Sequence, residues 1–419
     1  MNFLRGFSFN AACTGLTFVL GFANQWLLAN NLDAADYGKL GLWTTTAMLG
    51  ALVFGEWLNK GNVYAAGKGA GRGKLVGNTL IYGLVLTGVL AAIALAASGL
   101  SLPFFPHLEI VYWLLLASVV VLMILQKAGE SILLGEDRIS SYSLLPVLFV
   151  LCYLGSNLLV LKVWGGGLAQ VLVVWTASVG IVALTGFALL LRGAGGLKVD
   201  RELWWQMLRV GGRGGGSVIL VFLLFRSDLY LVEHFMGAAQ VGVYRVAGIF
   251  AEMMQRLPNV AGAVLLPKVI QAQEGEGLLS LRVARNVLLF SLLCAVGLLA
   301  AGKLLLLLFF PKYPEAYGLL LWMLPGLVVA GFGSVLNTRL AGQGYPAITL
   351  WAPALALALN VALNLALIPV MGLTGAALST SLAYVLWGLL VARHGLRQLG
   401  CGWGAFLRGK ASPPSIEKP

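Results

Sequence analysis

Apolar runs of about 18–25 residues recur along this chain, divided by short polar stretches rich in Gly, Pro, Lys and Arg. At about 1.5 Å per residue, each is long enough to cross roughly 30 Å of hydrocarbon as a helix. They fall near 8–30, 39–58, 75–98, 109–134, 142–162, 167–191, 214–235, 242–266, 285–310, 316–338, 347–368 and 374–393. The pattern predicts an all-α membrane protein of about twelve transmembrane helices. The first run follows Arg5 but is closed by no small-residue cleavage site, so it reads as a retained span and not a signal peptide. The longest polar stretch, near 192–213, sets Leu203, Trp204, Trp205, Met207 and Leu208 among charges, which predicts an amphipathic helix lying in the membrane interface.

That stretch sits at the midpoint, and the two sides of it look alike. Leu32-Asp-Ala-Ala-Asp-Tyr-Gly38 follows the first span, and Met236-Gly-Ala-Ala-Gln-Val-Gly242 follows the seventh. An Ala-Ala-x-x-Gly element at the same hinge, with six spans on either side, predicts two parallel six-helix lobes. The expected division is an N-terminal lobe at 1–195, an amphipathic linker at 196–213, a C-terminal lobe at 214–396 and a tail at 397–419.

Composition agrees with the pattern. The chain is 59% hydrophobic and 11% charged, with a mean hydropathy of +0.89, far from the quarter-charged average of soluble domains. The net charge of +12 does not call for a nucleic-acid partner, because the basic residues are distributed by side. Arg5, Lys60, Lys68, Arg72, Lys74, Lys127, Arg138, Arg192, Lys198, Arg201, Arg209, Arg213, Lys268, Arg282, Arg285, Arg339, Arg393, Arg397, Arg408, Lys410 and Lys418 fall on one side of the twelve-span topology. Only Lys39, Lys162 and Lys312 fall on the other. By the positive-inside rule both termini are cytoplasmic.

Chemistry that needs close clusters is excluded. Cys13, Cys152, Cys294 and Cys401 are scattered, as are His107, His234 and His394, so neither a disulfide framework nor a metal site is indicated. The glycine-rich stretch from Gly67 to Lys74 fails the nucleotide-binding pattern at Lys68 and Leu75, and Gly211 to Gly216 has no lysine. The short outer loops argue against a membrane-embedded polymerase or ligase, which needs a sizeable outer loop to hold a sugar-transfer site.

The stretch from Phe225 to Ala247 resembles the Wzx-type polysaccharide flippases of the multidrug/oligosaccharidyl-lipid/polysaccharide exporter superfamily. In that family an aspartate on the seventh helix precedes a Gly-x-x-x-Val-Gly-x-Tyr turn, and Asp228, Gly237, Val241, Gly242 and Tyr244 fill those places. Phe310-Pro-Lys-Tyr-Pro-Glu-Ala-Tyr317, Asn364 to Ala377 and the turn from Asp33 to Gly38 match as well. The resemblance implies an inner-membrane flippase that turns an undecaprenyl-pyrophosphate-linked oligosaccharide to the outer leaflet. Two six-helix lobes would rock about a central cavity, without a cofactor and coupled to an ion, H+ or Na+. The implied partners are the lipid-linked oligosaccharide, membrane lipids, and polysaccharide polymerase and chain-length machinery. An ion-coupled drug or metabolite antiporter of the same fold is the alternative.

Charges within spans cost about 2.5–3.5 kcal/mol each on insertion scales and mark candidate sites. Arg226 and Asp228 lie near the middle of the seventh span, either as a mutual or interhelical pair or as cavity-lining groups. Arg245, Glu252 and Arg256 share one face of the eighth, and Lys303 sits among leucines of the ninth. Among these deep charges the cations outnumber the carboxylates. Arginine offers a pyrophosphate planar, always-charged bidentate contacts, whereas an exporter of cations would call for an acidic cavity. Glu56, Asn24, Gln25, Asn360 and Asn364 are polar candidates of lesser weight: Glu56 has Lys60 one turn away, and the two C-terminal asparagines share a helix face suited to interhelical hydrogen bonds. The topology has a direct test. Single cysteines replacing Ser101 or Gly166, in a background lacking native cysteines, are expected to react with an impermeant reagent in intact cells; labelling only after permeabilisation would refute the twelve-span arrangement.

Overall fold

The apolar runs become twelve long helices followed by one short one among the described residues, which in this computed structural model are 3–97, 110–271 and 275–408. Ser101, His107, Lys410 and Lys418, and with the last two the end of the expected 397–419 tail, lie outside them. The helices are α1 (Phe3–Asn31), α2 (Ala34–Gly67), α3 (Arg72–Ala97), α4 (Ile110–Gly135), α5 (Ile139–Leu158), α6 (Leu168–Leu191), α7 (Arg201–Met236), α8 (Ala238–Ile270), α9 (Glu276–Phe309), α10 (Ala316–Gly342), α11 (Ile348–Met371), α12 (Leu373–Gln398) and α13 (Trp403–Arg408). A π-helical turn, Leu159–Val163, extends α5. Ten of the long helices are long and apolar enough to cross a membrane. The other two, α2 and α8, have the length but are interrupted by polar side chains, including Lys39, Glu56 and Lys60 in α2 and Arg245, Glu252 and Arg256 in α8.

The contacts divide the chain into two units, Met1–Gly215 and Gly216–Pro419, and each is built to the same plan. In the first unit α1 packs on α5, α2 on α4, α3 on α4, α4 on α6 and α5 on α6. In the second α8 packs on α10, α9 on α10, α10 on α12 and α11 on α12. The remaining pairing, α7 with α11, is seen in hydrogen bonds from Ser217 Oγ to the Thr349 carbonyl at 2.8 Å and from Ser227 Oγ to Asn360 Oδ1 at 3.4 Å. Its counterpart joins α1 to α5, where Ser143 Oγ donates to Asn10 Oδ1 and Asn157 Nδ2 to Asn24 Oδ1, both at 2.8 Å.

A pair of clamps repeats the plan with the charges exchanged. Arg72 opens α3 and holds Glu136, just past the end of α4, with two hydrogen bonds of 2.6 and 2.8 Å. Glu276 opens α9 and is held the same way by Arg339, in the last turn of α10, at 2.7 and 3.1 Å. Bidentate guanidinium–carboxylate geometry fixes direction as well as distance, so each clamp sets how the third helix of its unit meets the fourth. Small residues set the closest approaches. A Cβ added to Gly326 of α10 would lie 2.6 Å from the Ser381 backbone of α12, and one added to Gly333 would lie 2.7 Å from Gly388 Cα.

The polar stretch at 196–213 does not form a separate interfacial helix. From Arg201 onward it runs into the seventh span as one helix, α7, and the boundary between the two units falls inside that helix, at Gly215. Asp200 caps it, accepting the Leu203 amide at 3.0 Å, and this bond with the Lys74 ammonium holds the Asp200 carboxyl below the ordinary carboxylate range. Of the apolar residues of the stretch, protein covers Leu203, Trp204 and Met207, while Trp205 stays exposed. Leu203 and Met207 are buried, and the Trp204 ring stands edge-on to Trp57 of α2 at 5.1 Å and near Tyr82 of α3 at 5.4 Å. Gly61 and Gly211 permit this, since a Cβ at Gly211 would collide with the Trp57 carbonyl oxygen. Adjacent glycines therefore behave oppositely. Gly211→Ala is expected to lower the melting temperature of the purified protein by several degrees, because backbone blocks the new methyl. Gly212→Ala, with open space around it, is expected to raise stability by up to about 1 kcal/mol through helix propensity.

Candidate functional site

Successive positions on a helix turn by about 100°, so residues two apart point to nearly opposite sides. Arg226 and Asp228 accordingly do not pair with each other. Arg226, midway along the apolar segment Gly215–Met236, makes an ion pair with Glu252 of α8. Asp228 faces inward and is 3% exposed. Its Oδ2 accepts the Tyr244 hydroxyl at 2.6 Å and the Thr380 hydroxyl at 3.1 Å, while Oδ1 accepts the Leu229 amide at 2.9 Å. Tyr244 and Thr380 are themselves 3.0 Å apart, so one carboxylate and two hydroxyls tie α7, α8 and α12 together. The aspartate and tyrosine of the turn motif are thus partners. Gly237 between them stands at φ +81°, which lets α7 end and α8 begin within one residue.

These side chains border a cavity of about 430 Å³, a volume typical of a site for one ligand of drug size. Its lining comes from α7, α8, α10 and α12 of the second unit. Tyr244, Arg245, Gly248, Glu252, Gln255, Arg256 and Asn259 follow one another along the lining face of α8. The cavity thus brings together Arg226, Asp228, Arg245, Glu252 and Arg256. Phe225, Tyr384 and Trp387 form an aromatic wall, with ring centroids 4.5 Å apart for Phe225–Tyr384 and 5.7 Å for Phe225–Trp387. Opposite in chemistry is α10, which presents Ser334, Asn337 and Thr338. On two of the lining residues a polar atom turned away from the cavity, Asn337 Oδ1 and the indole N–H of Trp387, is buried without a hydrogen-bond partner among the described residues. Such an atom costs about 1–3 kcal/mol.

The other candidates lie elsewhere. Lys303 is not in the lining: it is exposed on α9 beside exposed Leu304, Leu307 and Leu308. The sequence placed it by depth, which carries no information about which side of the helix it occupies. Without it the lining holds three arginines and two carboxylates. Glu56 pairs with Lys60 at 3.5 Å, and Gln25 Oε1 accepts the Tyr37 hydroxyl at 3.0 Å. Asn24 is bonded to Asn157. Asn360 and Asn364 are fully buried and bonded to each other at 3.0 Å. Sequence reasoning passed over Gln255, Ser334, Asn337, Thr338, Thr380, Tyr384 and Trp387, which are individually unremarkable in an apolar span. The i, i+3, i+4 spacing of Ser334, Asn337 and Thr338 was the available signal.

Aligned on the repeat that begins at Ala34 and Ala238, the positions of Arg226, Arg245, Glu252 and Arg256 are held in the first half by Phe22, Gly41, Met48 and Leu52. Asp228 corresponds to the neutral Asn24. The duplicated plan therefore carries this charged face in one unit alone.

The chain matches the model of a family described as polysaccharide biosynthesis protein over residues 3–273. A sequence search of curated proteins finds no match. Among solved structures the chain is similar to the lipid II flippase MurJ in an inward closed conformation: 14% identity, a TM-score of 0.76, and coverage of 96% of this chain and 89% of that one. It is similar also to an inward-facing multidrug resistance MATE family transporter of the MOP superfamily, with 16% identity, a TM-score of 0.70 and coverage of 91% and 94%. A third is a MOP superfamily transporter from Pyrococcus furiosus described by the reverse polarity of its binding pocket, at 15% identity, a TM-score of 0.67 and coverage of 96% and 95%. These likenesses show that the chain shares the fold of these transporters. Pocket polarity differs within that fold, so what the cavity can hold has to be read from this chain's own side chains.

The Asp228 cage makes a quantitative expectation. Tyr244→Phe removes a hydroxyl from a buried carboxylate and should cost about 1.5–3 kcal/mol of stability. Thr380→Val should cost less, its bond being longer. Because both hydroxyls serve one oxygen, the double variant should deviate from additivity by about 0.5 kcal/mol or more, on the order seen for residues sharing a network. Thermal unfolding of the four proteins in one detergent measures this, and strict additivity would show that the hydroxyls act independently.

Proposed function

The chain belongs to the polysaccharide biosynthesis protein family, and from that premise we propose that it is a flippase for an undecaprenyl-pyrophosphate-linked oligosaccharide, working by alternating access in the bacterial inner membrane. The observation that carries this reading is the arginine-led lining of the cavity, with Arg226 at mid-span and Arg245 and Arg256 along the adjoining face of α8. A diphosphate leaving the headgroup layer loses its water and needs donors that keep their charge at depth, which guanidinium groups supply. Three cationic groups at successive heights on two helices offer such a group a graded path and no single deep well. A volume of about 430 Å³ suits a headgroup with its nearest sugar and not an extended glycan, so the remaining sugars would lie beyond this cavity. Coupling to an H+ or Na+ gradient, and delivery to a polymerase and chain-length machinery, belong to the same proposal. An antiporter for cationic drugs would be better served by a lining in which carboxylates prevail.

Flipping of an undecaprenyl-pyrophosphate-linked oligosaccharide in proteoliposomes tests it, with the abundance of each variant measured alongside. Arg245→Gln and Arg256→Gln are each expected to lower the rate about tenfold or more. Arg256→Lys should retain part of the rate, since it keeps the charge and loses the planar fork. If both glutamine variants flip at the parent rate, the charged face of α8 serves packing alone and the proposal fails.

A further inference from the structure

The charged face of α8 has no counterpart on α2, yet the first unit has a charged site of its own, on α4. The helices α4 and α10 hold the same place in the two units. Gly129, whose added Cβ would meet Gly186 of α6 at 3.9 Å, matches Gly333, whose added Cβ would meet Gly388 of α12. In that register Glu130 stands where α10 presents the lining residue Ser334. The Glu130 carboxylate accepts Lys127 Nζ at 2.7 Å and Gln126 Nε2 at 2.9 Å. The two charges are unequally placed, with the glutamate side chain 5% exposed and the lysine side chain 54%. Beside them α2 carries a second pair, Glu56 with Lys60 at 3.5 Å, and Glu56 and Tyr142 of α5 are near enough to act on the Lys127 charge. Lys127 precedes the end of α4 at Gly135 by eight residues, about 12 Å along the helix, so it lies inside the apolar span. Packing does not account for the pair. Gln126, Lys127 and Glu130 belong to one helix, so their bonds join no two elements, and an i,i+3 ion pair adds little to stability, whereas charge within a span is costly.

We propose that Lys127 is a further binding group for the diphosphate of the cargo, placed toward the basic end of the first unit. This deepens the flippase reading and rests on it. The exposures decide which member of the pair an incoming anion meets: the ammonium is open, and its resident carboxylate is sealed behind it. An ammonium carries three donors and Glu130 takes one, so a phosphate oxygen can bind Lys127 before the internal bond is given up. Lysine suits this depth. Its compact charge is strongly hydrated and can meet a diphosphate that still keeps part of its water. Glu56, Lys60, Lys127 and Glu130 sum to zero charge, so the cluster offers an arriving anion one exposed cation and no deep well.

The test measures flipping of an undecaprenyl-pyrophosphate-linked oligosaccharide by the full-length protein in proteoliposomes at several cargo densities, with the abundance of each variant alongside. Lys127→Gln should raise the density that gives half-maximal rate about three- to tenfold, the range of one partly exposed charged contact. Lys127→Arg, which keeps the charge, should restore most of the difference. Because Lys127→Gln also leaves Glu130 without its counter-charge, the double variant Lys127→Gln/Glu130→Gln separates the two roles, and it serves as the readout if the single variant does not fold. Where Lys127 meets the cargo, the double variant keeps the raised density. A return to the parent value would show that Lys127 only neutralises Glu130 and overturns the site, as does a folded Lys127→Gln with parent kinetics. A parent protein that flips no pyrophosphate-linked lipid refutes the flippase reading itself, which is a different result from either.

Discussion

Within hydrocarbon no water is present to complete a hydrogen bond, so a polar group on a spanning helix is costly unless another part of the protein meets it. That constraint decides where the helices of this protein meet. Asn24 and Asn157 are buried because they answer each other across α1 and α5. Ser217 finds the Thr349 carbonyl across α7 and α11. Asp228 is tolerable at 3% exposure because two hydroxyls and an amide surround it. Between chains of methyl groups that attract one another no better than they attract lipid, these few polar contacts fix which helix faces which.

The constraint also explains how two units can share a plan while differing in chemistry. Arg72–Glu136 and Glu276–Arg339 join corresponding helix ends with the charges reversed. What the clamp requires is a bidentate pair, and either polarity supplies it. The same tolerance let the lining of one unit acquire Arg226, Arg245, Glu252 and Arg256 where the other has Phe22, Gly41, Met48 and Leu52. The clamps lie at helix ends and the small residues at crossings, so the positions of Arg226, Arg245, Glu252 and Arg256 can differ between the units without altering either. Asp228 belongs to both sets, lining the cavity while it ties α7 to α8 and α12.

The spans were legible because a twenty-residue apolar run admits only one structure in a membrane. The repeat was legible in one short turn, and the charged face of α8 in its spacing. Partnerships were not. Of the pairings open to Arg226 and Asp228, the mutual one relied on closeness in sequence and fails, whereas the helical turn sends Arg226 into an interhelical pair with Glu252 and Asp228 to Tyr244 and Thr380. Lys303 was misplaced because depth in the membrane can be counted along a sequence and azimuth in an all-leucine stretch cannot. The stretch 196–213 carried an amphipathic pattern with two readings, lipid interface or protein groove. Gly61 and Gly211, which admit the groove, have no side chain to signal it.

The Arg226–Glu252 pair bears on how a carrier avoids becoming a trap. Its side chains are 29% and 49% exposed, so neither charge is sealed from the cavity. At an effective dielectric of about 20, unit charges about 4 Å apart attract by about 4 kcal/mol, and a phosphate oxygen taking the place of Glu252 would offer a similar amount. On the proposed reading, a diphosphate arriving at mid-span therefore exchanges one anion for another at Arg226, and the net gain is small. An unopposed arginine at that depth would bind the same group far more tightly and release it far more slowly. Passage requires entry favourable enough to occur and weak enough to reverse. A resident carboxylate beside the deepest arginine meets both conditions, which makes Glu252 part of the path's energetics even though its charge is the same sign as the cargo's.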